Sequence, residues 1–345
     1  MFTLGGVYVE ITSKCNLRCL HCYNESGSKD NILSLNEIEN LVYSIKKSEN
    51  HGFAISGGEP FMHPQIFEII ELLNKNDIKP NVISNATLIN EKICEKLKKY
   101  KCSFQISLNG SCAKVHESIC GTGTFNKTIA GIKNLISMGT SDISINIVLN
   151  KNNANDVVDI IKIITELGIT NIEISSINML GRAEDNKEEI ALDIMEIDEL
   201  VNTWSRNEYI QKMKKKDIKI RFPQYSNGCP LLSDDSTEAI KINPRIDSLG
   251  NVHICQSFES NAHIIGNIRE NVLYDIIYNN IRLANVIKEL KDDRDNMKEC
   301  KLCIWQKMCP RGCPAISLMR GSTKTTDGYC SLRKKQFLMG IKSCI

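Results

Sequence analysis

Short apolar runs alternate with amphipathic stretches over residues 1–180. Val7, Val9 and Ile11 alternate with polar residues and predict a first strand over Val7–Thr12. Five later runs are further candidate strands. They are Gly52–Ser56, Asn81–Ser84, Ser103–Leu108, Ile143–Leu149 and Asn171–Ile177.

Helical periodicity fills the segments between these strands. Ser34 and Glu37 form a capping box, and Ile38, Leu41 and Ile45 follow on one helix face. Six strand–helix units imply a parallel sheet with helices on its outside, and six units are too few for a closed eight-stranded barrel. The pattern therefore predicts an α/β fold.

The chain changes character after the sixth strand. Glu184–Glu189 is highly charged and is expected to form a solvated linker, followed by a helix around Ile194–Met213. Lys241–Asp247 and Asn251–Gln256 are typical of a hairpin, which would place Cys255 on a strand. We expect two domains, residues 1–215 and residues 216–345.

Composition narrows the functional classes. The net charge of +2 over 345 residues gives no general attraction to nucleic acid or to acidic membranes. No run of about 18 apolar residues and no basic-then-apolar N-terminal segment occurs, so we expect a cytoplasmic protein. Fifteen cysteines in a reducing compartment favour metal binding over disulfides.

Three cysteines follow the first predicted strand directly. Cys15, Cys19 and Cys22 have the spacing C-x-x-x-C-x-x-C. Thiolates are the usual ligands of iron–sulfur clusters, and three of them leave one iron of a 4Fe–4S cube without a protein ligand. Buried structural cysteines or an incomplete zinc site are the alternatives.

These residues resemble the cysteine motif of the radical S-adenosylmethionine (radical SAM) enzymes. The resemblance implies a partial (β/α)6 TIM-like barrel with its active site at the strand C-termini. It also implies that the free iron chelates S-adenosylmethionine (AdoMet), which one electron cleaves to methionine and a 5′-deoxyadenosyl radical. The protein's share of such chemistry is binding, orientation and exclusion of side reactions.

The same resemblance assigns cofactor contacts. The stretch Gly57-Gly58-Glu59 is expected to hold the amino group of AdoMet, and two glycines let the backbone approach a ligand closely. Asn85 lies in a polar motif at the end of the third strand, for which a helix N-cap region is the alternative. Ser107 ends the fourth strand and is expected to contact the cofactor.

Two further positions carry expectations from the resemblance. The backbone at His21 is expected to bond the adenine edge. Cys120 stands where relatives often have an arginine that contacts the methionyl carboxylate. Since a forked cation is the natural partner of a carboxylate, another cation must serve. Lys114 and Lys133 are available, and the sequence selects neither.

Seven cysteines in the second half form a separate pattern. The spacing C-x2-C-x5-C-x3-C is followed by one more cysteine and preceded by two, one of them in G-x4-C. This resembles the SPASM extension of radical SAM enzymes, with zinc as the alternative metal. The cysteines are Cys229, Cys255, Cys300, Cys303, Cys309, Cys313 and Cys330.

The interlaced pattern of that family divides these cysteines between two auxiliary 4Fe–4S clusters. It assigns one cluster to Cys300, Cys303, Cys309 and Cys330. The other cluster then has only three cysteines, which leaves one of its irons open or bound by another ligand; these are Cys229, Cys255 and Cys313. With the first motif, the resemblance implies three 4Fe–4S clusters and AdoMet.

Relatives with this extension mostly modify peptides or proteins. We therefore predict a peptide-modifying maturase that forms thioether or carbon–carbon crosslinks or epimerises residues. Sulfatase maturation is the alternative, although Gln256 stands where those enzymes have an aspartate base, with Glu259 nearby. An iron–sulfur electron-transfer or scaffold protein is the alternative of another class.

The expected partners follow from this prediction. They are a peptide or protein substrate and a flavodoxin or ferredoxin as electron donor. The chain begins almost at its first predicted barrel strand. Either a separate peptide-recognition protein or a direct groove on this chain is therefore expected to bind the peptide.

Overall fold

The structure, a computed structural model, describes residues 1–50, 52–224, 228–233 and 239–342, with side chains up to residue 338. Twelve strands occur in these residues. They are β1 Phe2–Leu4, β2 Val7–Thr12, β3 Phe53–Gly57, β4 Asn81–Ser84, β5 Ser103–Ser107, β6 Ile143–Leu149, β7 Asn171–Ser176, β8 Lys219–Arg221, β9 Ile240–Ile242, β10 Arg245–Ile246, β11 Asn251–His253 and β12 Gly266–Asn267.

The helices that join these strands cover the outside of the sheet. Three 3-10 turns, Pro60–Met62, Pro230–Leu232 and Asn261–His263, supplement them. The α-helices are α1 Leu35–Lys47, α2 Ile66–Lys75, α3 Glu91–Leu97, α4 Ala113–Cys120, α5 Phe125–Ser137, α6 Val157–Glu166, α7 Arg182–Asp185, α8 Lys187–Ile190, α9 Ile194–Arg206, α10 Glu208–Lys214, α11 Leu273–Tyr278, α12 Ile281–Asn296, α13 Lys298–Lys301, α14 Pro314–Met319 and α15 Cys330–Lys342.

One ten-stranded sheet organises the molecule, in the order β12-β11-β10-β2-β3-β4-β5-β6-β7-β8. Every neighbouring pair from β10 to β8 is parallel, and β10–β11 and β11–β12 are antiparallel. The strands β2–β7 are the six predicted from the sequence. The predicted open six-unit α/β barrel is therefore confirmed.

The strand pattern puts apolar side chains outside and polar side chains inside this curved sheet. In β6, Ile143, Ile145 and Ile147 are buried, and they alternate with Ser144 and Asn146. Closed barrels of this class fill their interior with bulky branched residues. Here the inward positions are polar, which leaves room for a cavity at the strand C-termini.

The second half differs from the sequence prediction in three places. The hairpin is shorter than expected, because Ile240–Ile242 instead pairs with β1 in a separate two-stranded sheet. Cys255 lies in a turn beyond β11, so its predicted place on a strand is wrong. The expected single helix around Ile194–Met213 is broken at Asn207, whose side chain accepts a bond from Ile210 N and caps a new helix.

The charged stretch Glu184–Glu189 also departs from the expected linker. It lies within two short helices, α7 and α8, that meet at Asn186. The Asn186 side chain donates to the carbonyls of Leu20 and Arg182. This segment therefore packs against the loop of the first three cysteines.

Candidate functional site

Cys15, Cys19 and Cys22 line one cavity of about 1080 Å³ at the C-terminal ends of the strands. The pKa of the Cys15 thiol is raised to about 12, mainly by burial, with Glu59 and the two neighbouring sulfurs contributing to the rise. Sulfurs in such a place become thiolates when a metal cation binds them. The donor set therefore fits an iron–sulfur cluster.

No three His, Cys, Asp or Glu side chains among the described residues come together closely enough to hold a single metal ion. The three sulfurs nevertheless affect one another electrostatically, as neighbours do. Their assignment as cluster ligands stays a prediction.

The Gly57-Gly58 turn packs its backbone against the segment that leads into Cys15. Gly58 N donates to the Thr12 carbonyl at 2.7 Å, and Glu59 N donates to the Lys14 carbonyl at 2.8 Å. A Cβ on Gly58 would lie 2.0 Å from the Lys14 oxygen and 3.0 Å from the Cys15 Cβ. Glycine is required here because the two backbones touch.

Glu59 lies behind the cavity wall and does not line it. Its Oε1 accepts from Ser84 Oγ at 2.8 Å and from Phe61 N at 3.2 Å, and its Oε2 accepts from Asn85 N at 2.9 Å. Burial raises the pKa of this carboxyl to about 7. Glu59 therefore fixes the end of β4, and its predicted contact with the AdoMet amino group stays a prediction.

The other predicted cofactor residues share the cavity wall: His21, Gly57, Gly58, Asn85 and Ser107. Asn85 Nδ2 donates to Asn16 Oδ1 at 3.1 Å, which ties the end of β4 to the cysteine loop. The structure thus brings five of the six together, and their contacts with a cofactor stay predictions.

His21 Nδ1 is buried without a hydrogen-bond partner, an unmet polar atom at this wall. Burial, with His116 and Arg182 nearby, lowers the pKa of His21 to about 4. The imidazole is therefore neutral at pH 7, and a polar ligand in the cavity would satisfy its free nitrogen.

Arg182 is the cation that sequence reasoning missed. It lines the cavity, its Nε donates to the Cys19 carbonyl at 3.1 Å, and its Nη1 donates to the Ser26 carbonyl at 3.2 Å. Lys114 and Lys133 are exposed and do not line the cavity. No local sequence pattern pointed to Arg182, because its contact with Cys19 joins residues 163 positions apart.

Cys120, at the position of the missing arginine, is buried in the same wall. Its Sγ accepts from Asn109 Nδ2 at 3.5 Å, and interaction with the neighbouring Cys19 thiol lowers the pKa of the Cys120 thiol. Of the remaining cysteines, Cys94 and Cys102 are buried and Cys112 is exposed, whereas Cys344 lies outside the described residues.

The seven C-terminal cysteines fall into two neighbourhoods. Cys313 and Cys255 both raise the pKa of Cys229, although burial is the larger cause and brings it to about 12. Burial raises the pKa of Cys300 too, with Cys330, Cys309 and Cys303 adding to it. These sets of three and four have the membership that the SPASM resemblance implies, and their ligand roles stay predictions.

A buried ion pair holds the chain near Cys313. Arg333 and Asp327 have side chains 2% and 1% exposed, and Arg333 Nη1 donates to Asp327 Oδ1 at 2.9 Å. Asp327 Oδ2 also accepts from Cys313 N at 3.1 Å. The pair therefore connects helix α15 to the loop that carries the predicted ligand.

Residues of the C-terminal half complete the cavity. Gln256, Ser257, Met319, Arg320 and Tyr329 line the same cavity as the first cysteine loop. A molecule in this cavity therefore touches both halves of the chain.

A buried polar network also joins the two halves. Tyr23 OH donates to Glu10 Oε1 at 2.7 Å, and Arg245 Nη1 lies 3.2 Å from the same oxygen. Arg245 also pairs with Glu259. Glu259, the carboxylate closest in sequence to Gln256, is therefore occupied by an ion pair.

Comparison with known families agrees with this geometry. The Radical SAM superfamily matches residues 9–162, and the SPASM iron–sulfur cluster-binding domain matches residues 240–304. The chain therefore contains a radical SAM domain followed by a SPASM domain. AdoMet, a 4Fe–4S cluster and auxiliary clusters are the cofactors of a radical SAM enzyme with a SPASM domain.

Relatives match most of this radical SAM chain. Mycofactocin maturase MftC of Mycobacterium ulcerans is 24% identical over 318 residues, which cover 90% of this chain and 83% of that protein. The AdoMet-dependent heme synthase of Methanosarcina barkeri is 24% identical over 349 residues, which cover 94% and 95%.

Solved radical SAM structures share the fold. Streptococcus suis SuiB bound to S-adenosylmethionine has a TM-score of 0.73 at 18% identity, covering 94% of this chain and 76% of SuiB. The protein anSMEcpe with bound AdoMet and the Cp18Cys peptide has a TM-score of 0.73 at 21% identity, covering 99% and 100%.

None of the helices in the described parts of the chain combines the length and the apolar character needed to cross a bilayer.

Proposed function

We propose that this protein is a radical SAM maturase that modifies a peptide. The observation that carries the proposal is the shared cavity, whose lining comes from the first cysteine loop and from Gln256, Ser257 and Tyr329. When bound, the cluster and AdoMet supply a radical that removes hydrogen from an unactivated C–H bond. The cavity of about 1080 Å³ has room for a cofactor and a peptide segment together.

The names of similar proteins support a peptide substrate. MftC is called a maturase, and SuiB was also solved bound to its precursor peptide SuiA, with a TM-score of 0.74 to this chain. The relative from Methanosarcina is named for haem synthesis, so the domain pair alone does not select the substrate. The selection has to come from the cavity.

The residues of this chain have distinct tasks in the proposed reaction. Gly57 and Gly58 hold the cysteine loop by backbone contact, and Glu59 fixes Asn85 behind them. Arg182 provides a fixed positive charge beside Cys19, suited to a carboxylate of the cofactor. Ligation of three 4Fe–4S clusters by the ten named cysteines is part of the proposal.

Sulfatase maturation is the second candidate, favoured by the full-length structural match to anSMEcpe. The occupied Glu259 and the glutamine at position 256 weigh against it, since neither is a free base. A flavodoxin or ferredoxin is proposed as electron donor for either reaction. The separate peptide-recognition protein stays a prediction.

Anaerobic incubation with AdoMet and dithionite tests the proposal. We expect 5′-deoxyadenosine, and we expect a peptide encoded beside the gene to lose about two hydrogens in mass. A cysteine-containing sulfatase peptide that gains an aldehyde and exchanges sulfur for oxygen would instead establish the second candidate. Without any 5′-deoxyadenosine from iron-replete protein, both enzyme proposals fail.

Titration with the peptide alone examines the recognition protein. Binding in the micromolar range without any added protein would make that partner unnecessary. Peptide binding that appears only when a second protein is added would support it.

A further inference from the structure

Three large apolar side chains point into solvent from the loop that carries three predicted cluster ligands. Leu302, Ile304 and Met308 are 91%, 89% and 64% exposed. All three lie within residues 300–309, beside Cys300, Cys303 and Cys309. An exposed apolar patch of this kind marks an interaction site more often than chance exposure.

The backbone of this loop explains the exposure. Cys303 N donates to the Cys300 carbonyl at 3.1 Å, Gln306 N donates to the Cys303 carbonyl at 3.0 Å, and Cys309 N donates to the Trp305 carbonyl at 2.9 Å. These tight turns wrap the chain around the half-buried sulfurs. Leu302, Ile304 and Met308 are consequently turned outward, whereas Trp305 is half-buried.

Helix α15 extends the patch. Trp305 packs against Phe337 with ring centroids 5.4 Å apart, which holds the loop to this helix. Leu338, the next residue on the helix, is 52% exposed. We call the surface formed by Leu302, Ile304, Met308 and Leu338 the loop patch.

The rim of the loop patch is basic. Four exposed lysines neighbour the patch residues along the chain, Lys298, Lys301, Lys307 and Lys334, whereas Glu299 is the single acidic residue within 298–309. Lys301 Nζ donates only to the neutral Asn296 Oδ1, at 3.0 Å. The rim therefore keeps positive charge to steer an acidic partner, in a protein whose overall charge is only +2.

We propose that the loop patch is the docking surface for an acidic one-electron carrier protein. The inference rests on the proposed function, because it places the carrier beside the cluster assigned to Cys300, Cys303, Cys309 and Cys330. The reduced carrier gives up one electron and is oxidised, and that cluster is reduced by the same electron. A small apolar contact with a charged rim suits a partner that must bind briefly and leave.

The test uses the anaerobically reconstituted full chain and a reduced flavodoxin as the probe. The variant L302S/I304S/M308S removes the apolar centre without touching the core. We expect at least a tenfold weaker flavodoxin Kd by calorimetry and a similarly slower reduction of the clusters by stopped-flow absorbance. The control is Ile281→Ser, since Ile281 is 73% exposed on α12 outside the loop patch.

A charge reversal sharpens the result. K298E/K307E is expected to slow association most at low salt and to flatten its salt dependence. Reduction by dithionite, and the 5′-deoxyadenosine that follows, should be unchanged in every variant. Iron content confirms that the clusters are intact.

Three outcomes overturn the proposal. Flavodoxin affinity equal to wild type in the triple variant excludes this surface. A change from dimer to monomer would show that a second copy occupies the patch, and a loss of peptide binding would show that the substrate does. If no peptide is ever modified but flavodoxin binding still depends on the loop patch, the proposed function fails and the docking surface stands.

Discussion

The two cysteine regions of this enzyme are built in opposite ways. The loop of Cys15, Cys19 and Cys22 lies against the ends of the sheet and is fixed by backbone contacts from Gly58 and Glu59. The C-terminal loop of residues 300–309 is held mainly by its own turns and leaves large apolar side chains exposed. The first site is therefore shaped by the fold, whereas the second depends more on bound metal for its shape.

The largest expected effect comes from a substitution that displaces the first cysteine loop. Gly58→Ala places a Cβ 2.0 Å from the Lys14 oxygen, so the segment carrying Cys15 must move. We expect loss of the first cluster's electron paramagnetic resonance signal and at least a hundredfold loss of 5′-deoxyadenosine formation. The control is Gly6→Ala, whose added Cβ would come no closer than 3.9 Å to Asn243 and Gly52; a similar loss there would point to general instability.

The next prediction concerns the anchor of the C-terminal region. Asp327→Asn leaves Arg333 buried without its counter-charge, which typically costs about 3–5 kcal/mol. We expect a lower free energy of unfolding by denaturant titration and iron lost from the auxiliary sites first. The double variant D327N/R333M should recover part of the stability. Equal iron loss from the first site would remove the contrast between the two regions.

Substitutions of Arg182 test whether this side chain is the cation that binds the AdoMet carboxylate. Arg182→Gln keeps a donor but removes the charge beside Cys19, and we expect AdoMet to bind about tenfold more weakly, which is about 1.4 kcal/mol. Arg182→Lys should lose less, and the Kd for AdoMet measures both. Unchanged affinity in Arg182→Gln would assign the carboxylate to another group.

The smallest prediction concerns Cys120. With Cys19 bound to iron as a thiolate, Cys120 is the only proton donor of that sulfur pair. Hydrogen bonds to sulfur set cluster potentials, so Cys120→Ala should lower the midpoint potential of the first cluster. A hydrogen bond to a charged sulfur contributes about 1.5 kcal/mol, and losing it corresponds to a shift of about 60 mV in a one-electron midpoint potential. The midpoint potential of Cys120→Ser should lie between those of the wild type and of Cys120→Ala. The control Cys102→Ala changes a buried cysteine elsewhere and should not shift the potential.

Sequence reasoning found the fold because each barrel strand has its own apolar signal. It also found the residues that follow those strands, such as Gly58 and Ser107, since parallel strands bring their C-terminal ends to one edge. Arg182 escaped because its contact with Cys19 spans 163 positions of the chain and no local pattern reports it. The helix break at Asn207 escaped because tertiary packing overrides a continuous apolar periodicity.

Two features of the second half of the chain could not be predicted from local sequence. The hairpin containing Cys255 was predicted from alternation alone, but Ile240–Ile242 found a partner in β1, 238 positions away in the chain. The exposure of Leu302 and Ile304 also had no sequence signal, because tight turns around predicted sulfur ligands reverse the usual rule that apolar residues are buried.

The parallel pairing of β10 with β2 has a consequence for dissecting the protein into fragments. A fragment ending before residue 240 would leave the hydrogen-bonding edge of β2 unpaired. It would also remove Arg245, the buried partner of the Glu10 carboxylate. Unpaired strand edges form hydrogen bonds with strands of other chains. Such a fragment is expected to aggregate during expression, even though its sequence contains every residue of the first cysteine motif.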